Sequence, residues 1–310
     1  MNPTVDEIAG HVTCLLRSVA GAERVERLNQ LAARVVANRD KLRKWRARLR
    51  HRAAMQLYVN LSTAGKSANR GSVPLSVRVH GIECGTVTVG TGRVRAFQPK
   101  HRKLFGSCGF QKADGCEWAD RAVAKYIEAA AVHVKGRPEA NVESAFIRHM
   151  LRPDGEWRGE QQPVCLAGLP LQIPVPVSAS GAEVKLGNGH IDVLARLGRG
   201  GKRLRVYELK APKADASGAL DQAVAYLVAL KFVLDQEGAS TDWWRLIGFS
   251  APPTRRPKLE AFAFVADMKG NRTVMDAAKK RLDARNSDSI VLGVMYYHCA
   301  PGGRLEIKFP

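Results

Sequence analysis

The chain has 310 residues, 45% of them hydrophobic, and carries 49 Lys+Arg against 29 Asp+Glu, a net charge of +20. That length and apolar content suffice for a sizeable buried core, in one large domain or two smaller ones. Charged residues make up 25% without a long like-charge block, which excludes a wholly disordered chain.

No uninterrupted apolar run reaches the length of a membrane span, and MNPTVDEIAG lacks the basic-then-apolar pattern of a secretory signal. A soluble, cytoplasmic protein with no membrane partner is the expectation. The positive charge is uneven: residues 1–100 carry 18 basic and 6 acidic side chains, 101–200 carry 13 and 11, and 201–310 carry 18 and 12. An excess concentrated at one end favours a polyanion such as nucleic acid, through neutralised phosphates and released counterions. Solubility alone is the plainer explanation. The six cysteines (Cys14, Cys84, Cys108, Cys116, Cys165, Cys299) are dispersed without a C-x-x-C pair. Zinc would need tighter grouping, so no zinc site and reduced thiols are expected.

Residues 4–60 read as helical. Within them RDKLRKWRARLRHR (39–52) holds eight Lys/Arg in fourteen positions, with Leu42, Trp45 and Leu49 at i, i+3, i+7. One narrow apolar stripe faces inward, and Arg43, Lys44, Arg46, Arg48, Arg50 and Arg52 cover the rest. Such a helix can lie along a phosphate backbone, rest on an anionic membrane, or simply be solvated. STAGKSANRGSVP (62–74) reads as a linker; its AGKS lacks the upstream glycine of a phosphate-binding loop. Residues 77–97 alternate as two or three short strands. Helices follow from Glu117 and over PEANVESAFIRHML, and no internal repeat is visible.

Beyond them, LPLQIPVPVS, HIDVLARL and RLRVYELK read as strands and GALDQAVAYLVALKFVLDQ as a long helix. WWRLIGFS and LEAFAFVAD are read as strands, TVMDAAKKRLDARN as a helix, and SIVLGVMYYH with GRLEIKF as a closing hairpin. The alternation of helices and strands predicts an α/β or α+β domain around a mixed sheet. The chain divides into a basic helical region (1–68), a small β-rich segment (69–118) and the α/β part (119–310).

Acid-x-Lys occurs four times: Glu183–Lys185, Glu208–Lys210, Asp267–Lys269 and Glu306–Lys308. The tripeptide alone therefore says little, and context decides. Closing DVLARLGRGGKRLRVYELK symmetrically about GRGGK (198–202) sets Leu197 opposite Arg203, Asp192 opposite Glu208 and His190 opposite Lys210. Opposed side chains lie about 4.5–5.5 Å apart at Cβ. Two carboxylates that close repel unless a cation lies between them. A hard divalent ion suits, since Mg²⁺ needs only one or two protein carboxylates plus other oxygens. Lys210 shares the face of Glu208, where it could stabilise a water or phosphate oxygen. The other three candidates lack an opposed acid; the hairpin ending in Glu306 places Tyr296 opposite instead. On the following helix, Gln222 and Tyr226 share a face at i, i+4. Alone, that pair equally fits a partly exposed amphipathic helix.

Together IDV (Asp192), ELK (Glu208, Lys210) and QAVAY (Gln222–Tyr226) resemble the PD-(D/E)XK nuclease superfamily. They are similar to its branch with a Q-x-x-x-Y helix, which includes lambda exonuclease and the nuclease domains of bacterial recombination helicases. The resemblance spans roughly residues 143–230 and the strands beyond. It implies a restriction-endonuclease-like core, a central mixed sheet flanked by helices, for residues 119–310. It also implies a Mg²⁺- or Mn²⁺-dependent deoxyribonuclease, exo- or endonucleolytic, in bacterial or phage DNA repair, recombination or defence. Asp192 and Glu208 would bind metal with the Leu209 carbonyl, Lys210 would position water, and Gln222 and Tyr226 would contact the site or substrate. Glu143 is the best match for an additional upstream helix glutamate, with Glu117 and Glu128 as alternatives. Ile191 stands where many members have proline. Some relatives hold an iron–sulfur cluster through three cysteines after the core; only Cys299 lies there, so no cluster is expected. DNA is favoured over RNA. A nuclease-fold DNA-binding module without catalysis is the rival reading.

Overall fold

The computed structural model describes residues 3–47, 57–61, 72–79, 82–90, 93–100, 108, 125–126, 129–130, 138–150, 161–180, 183–198, 200–299 and 305–307. Three helices come first: α1 (Val5–Arg17), α2 (Val19–Ala37) and α3 (Arg39–Ala47). Thr4 and Glu7 form a reciprocal cap on α1, Thr4 Oγ1 accepting from the Glu7 N–H while the Glu7 carboxylate accepts from the Thr4 N–H at 2.8 Å. Gly21 lets α2 fold back on α1, since a Cβ there would sit 2.1 Å from the Leu15 carbonyl oxygen.

Two sheets follow. The first joins β1 (Leu57–Leu61), β2 (Ser72–Val79), β3 (Ile82–Gly90) and β4 (Arg93–Pro99) to later strands. After helix α4 (Pro138–Met150) come β5 (Gln161–Pro163), β6 (Cys165–Leu166), β7 (Leu169–Ser180) and β8 (Glu183–Ile191). Then come β9 (Val193–Leu197), β10 (Arg203–Leu209), α5 (Ala219–Leu234), α6 (Ser240–Leu246), β11 (Lys258–Ala266), α7 (Lys269–Asp283), β12 (Val291–Cys299) and β13 (Leu305–Ile307). The seven-stranded sheet has the order β4-β3-β2-β1-β7-β6, with β8 also paired to β7. The six-stranded sheet has the order β13-β12-β11-β10-β9-β5 and is mixed, parallel at β10–β11–β12 and antiparallel at β5–β9–β10 and β12–β13.

Side-chain alternation gives the six-stranded sheet two apolar faces. Leu194, Leu204, Val206, Ala263 and Val265 join the core built on α5. Val193, Ala195, Tyr207, Leu209 and Phe264 join Val142, Phe146 and Met150 of α4 on the other side. The protein is thus mixed α/β, a mixed sheet flanked by helices. Helix α5 is apolar almost all round and correspondingly buried along its length. Its one buried acid, Asp221, is held by both terminal nitrogens of Arg281 of α7, at 2.8 and 2.9 Å. Helices α1 and α2 share the α5 core through Val12, Leu16, Leu28 and Val35, and strands β2 and β3 join it through Leu75, Val77 and Val87. The three sequence segments therefore contribute to one core. Among the described residues, no helix is long and apolar enough to cross a membrane.

Several expected elements differ. Leu57–Leu61 is strand rather than helix, because it pairs antiparallel with β2 and parallel with β7. Ser72–Pro74 belongs to β2 rather than to a linker; residues 62–71 lie outside the described residues, as do Glu117 and Glu128. WWRLIGFS begins inside helix α6, where Trp243 and Trp244 are buried. Their indole N–H groups donate to Asn29 Oδ1 at 2.8 Å and to the Leu234 carbonyl at 3.2 Å. A short apolar run carries no period that separates helix from strand. In the closing hairpin His298, not Tyr296, lies opposite Glu306.

Candidate active site

The β9–β10 register sets Leu197 opposite Arg203 and Val193 opposite Tyr207, the spacing expected from a symmetric turn. Continued one step, it sets Asp192 opposite Glu208. Asp192 itself is a bend, the one residue between β8 of the first sheet and β9 of the second. HIDVLARL is thus two strands, not one. His190 lies before the bend, in β8, and pairs with Pro174 of β7 rather than with Lys210. Local alternation could not reveal this, because the chain changes sheets while keeping its apolar rhythm.

Asp192 Oδ2 accepts a hydrogen bond from the Leu209 N–H at 2.9 Å. Glu208 is only 4% exposed. Lys210 Nζ donates to Glu208 Oε1 at 2.8 Å and to Gln222 Oε1 at 2.8 Å. Gln222 Nε2 in turn donates to the Tyr226 hydroxyl at 3.1 Å, and that oxygen also accepts from the Ala179 N–H of β7 at 3.4 Å. Asp192, Glu208, Lys210, Gln222 and Tyr226 therefore form one cluster at the carboxyl end of β10. The second oxygen of Glu208, Oε2, is buried without a hydrogen-bond partner among the described residues. Leaving a buried carboxylate oxygen unsatisfied is costly, and a cation would relieve it.

Electrostatics point the same way. Burial pushes the Asp192 carboxyl up to about 6, opposed by the Leu209 N–H and by Lys210. Burial also raises Glu208 well above the usual carboxylate range, and the neighbouring Asp192 adds to the effect. Burial works against the Lys210 ammonium, but Glu208, Asp192 and Glu139 together outweigh it and the lysine is raised. Tyr226 is raised by burial and by Glu208. Two acids that resist ionising together, with one lysine between Glu208 and Gln222, suit a site completed by another cation.

Backbone contacts fix the cluster. The Lys210 N–H donates to the Phe264 carbonyl at 3.0 Å, and its carbonyl accepts from the Tyr297 hydroxyl at 2.6 Å. At Gly189 an added Cβ would lie 2.1 Å from the Val177 carbonyl oxygen and 3.0 Å from the Tyr226 ring. Only glycine admits that ring against β8. Tyr297 and Gly189 come from other elements, so spacing around ELK gave no sign of them.

Glu143 is buried on α4, the helix that packs on the sheet through Val142, Phe146 and Met150. Glu139, one turn earlier on the same helix face, acts electrostatically on Asp192, Glu208 and Lys210. Arg78 of β2 also acts on Asp192, favouring its ionised form. Sequence reading found neither, since the two belong to segments distant in the chain.

The basic helix is only partly described. Arg43 and Lys44 are exposed on α3, Arg43 pairing with Asp40 at 3.3 Å, while Leu42 is buried. Arg46 lies in the helix; Arg48, Arg50 and Arg52 fall outside the described residues. Helix α3 packs near β4, the far edge strand of the first sheet. At about 4.8 Å per strand, that edge is roughly 19 Å from β7.

Among the described residues, no three His, Cys, Asp or Glu side chains converge as a metal cage. Asp192 and Glu208 give two carboxylates beside the Leu209 main chain, which fits a hard ion that fills its remaining positions with water and phosphate oxygens. A scan against known protein families found no match, and searches of curated proteins and of solved structures found no significant relative.

Proposed function

We propose that the chain is a metal-dependent nuclease that hydrolyses DNA phosphodiester bonds on a restriction-endonuclease-like core. The observation that carries this reading is the interacting pair Asp192 and Glu208 at a sheet end, with a Glu208 oxygen buried without a partner among the described residues and Lys210 alongside. A bound Mg²⁺ or Mn²⁺ would polarise the phosphoryl oxygen and stabilise charge developing on it. Asp192 and Glu208 would hold the ion. Lys210 would hold the attacking water through its ammonium, and would itself be oriented by Gln222, whose amide is braced by the Tyr226 hydroxyl. The net charge of +20 supplies sequence-independent attraction to a phosphate backbone. The Q-x-x-x-Y resemblance fits exonuclease action, with endonuclease action as the alternative, and a place in bacterial or phage DNA repair, recombination or defence.

The test is digestion of linear and covalently closed DNA, single- and double-stranded, and of RNA, in Mg²⁺, Mn²⁺ or EDTA. Wild type should cut in a divalent ion and not in EDTA, and Asp192→Ala and Lys210→Ala should not cut. Cutting of linear DNA alone identifies an exonuclease. Salt-sensitive binding without cleavage under any divalent ion would favour a non-catalytic DNA-binding module instead.

A further inference from the structure

At the other end of β10 from Glu208, the glycine-rich turn of the β9–β10 hairpin and the loop before β11 enclose a cavity of about 620 Å³. That volume lies within the range of small-molecule sites. Among the described residues, five cations line it (Lys202, Arg203, Arg255, Arg256 and Lys258), and no acid does. Arg203 and Arg256 are offset by Glu260 and Asp235, at 3.4 and 3.3 Å. Lys202, Arg255 and Lys258 are exposed and make no ion pair among the described residues. The Lys258 N–H donates to the Lys202 carbonyl at 2.9 Å, which ties the two lysine-bearing segments together.

The site is built rather than incidental. Pro252, Pro253 and Pro257 fix backbone dihedrals on either side of Arg255 and Arg256, so little order is lost on binding. Gly198, Gly200 and Gly201, which line the cavity, all have positive φ and bring main chain rather than side chains to it. Phe249 forms an apolar wall, held by the edge of Trp244 at 5.1 Å and by Arg196 at 5.2 Å from its ring. Lys202, Arg255 and Lys258, the cations without an ion pair among the described residues, repel one another until an anion enters. We propose that this cavity binds the phosphate chain of a nucleotide-sized ligand, supplied by a free nucleoside polyphosphate or by a nucleic-acid strand. It lies about 17 Å from the carboxylates, five residues along β10 at about 3.3 Å each. Binding here is therefore separable from the metal site.

Calorimetry of the full chain in EDTA tests the proposal, with tripolyphosphate, a nucleoside triphosphate and a short oligonucleotide as probes. Tripolyphosphate should bind saturably. Binding should weaken at least tenfold in Lys202→Ala/Arg255→Ala/Lys258→Ala and stay unchanged in the surface control Lys269→Ala/Lys280→Ala/Arg285→Ala. Whichever of the triphosphate and the oligonucleotide loses more affinity in the first variant identifies the source of the phosphates. Absence of saturable binding, or equal weakening in both triple variants, would overturn the site.

Discussion

Asp192 accepts a hydrogen bond from the main-chain N–H of Leu209 at 2.9 Å, so the bend that joins the two sheets is tied to the end of β10. The β9–β10 ladder ends one residue earlier, at Val193 and Tyr207, and this side-chain bond ties Asp192 to the residue after Glu208. The two carboxylates are close enough that Asp192 helps to raise Glu208.

The carboxylates should make stability fall as pH rises. Asp192 is raised to about 6 and Glu208 well above its ordinary value, so above about pH 4 the folded chain holds protons that the unfolded chain releases. Stability of the metal-free protein is thus greatest on the acid side of this window and is lost as pH climbs through 6. Glu208→Gln should flatten the slope and raise Tm at pH 8, and a millimolar divalent ion should do the same for wild type. Thermal melts between pH 4.5 and 8.5 in EDTA check this; a wild-type Tm that rises across the window would contradict it.

Lys210→Met should lower the single-turnover cleavage rate by about 10²–10⁴-fold, the range for a group that handles a proton or positions water. Affinity for DNA should change by no more than a few-fold. Gln222→Ala should give a smaller loss, about tenfold, because it removes the support of the ammonium and not the ammonium itself. Equal losses in affinity and rate would assign Lys210 to substrate binding instead.

Gly189→Ala should destabilise by roughly 1–3 kcal/mol, since the new methyl meets the Val177 carbonyl oxygen and the Tyr226 ring. Gly200→Ala is a matched control with open space around its Cβ, although its φ of +77° carries some backbone strain. Urea denaturation separates the two. A smaller loss at Gly189 than at Gly200 would show that the Tyr226 approach is not tight.

Arg281→Ala should cost about 3–5 kcal/mol, because it strands the buried Asp221 carboxylate inside the α5 core. Asp221→Asn in the same background should recover part of the loss. Chemical denaturation of the single and double variants measures the coupling.

The hairpin was legible because its information is local: a glycine turn sets the register, and alternation then puts Asp192 against Glu208 and Lys210 on the same face. The pairing of Gln222 with Tyr226 was legible for the same reason, as helical spacing. What sequence could not give depends on distant partners. His190 pairs with Pro174 rather than Lys210 because β8 runs along β7 before the chain turns at Asp192. Leu57–Leu61 is a strand because β2 and β7 supply its hydrogen bonds, whatever its own preference. Glu139, Arg78 and Tyr297 reach the site from a helix and two strands that no spacing rule connects to ELK.

The central claim is that Asp192 and Glu208 together hold a divalent ion. Electron paramagnetic resonance of Mn²⁺ titrated into the metal-free protein at pH 7.5 tests it most directly. Wild type should remove free Mn²⁺ signal saturably, and Asp192→Asn and Glu208→Gln should each weaken that binding by at least tenfold. Binding that survives undiminished in both variants, or no binding by folded wild type, would contradict the claim.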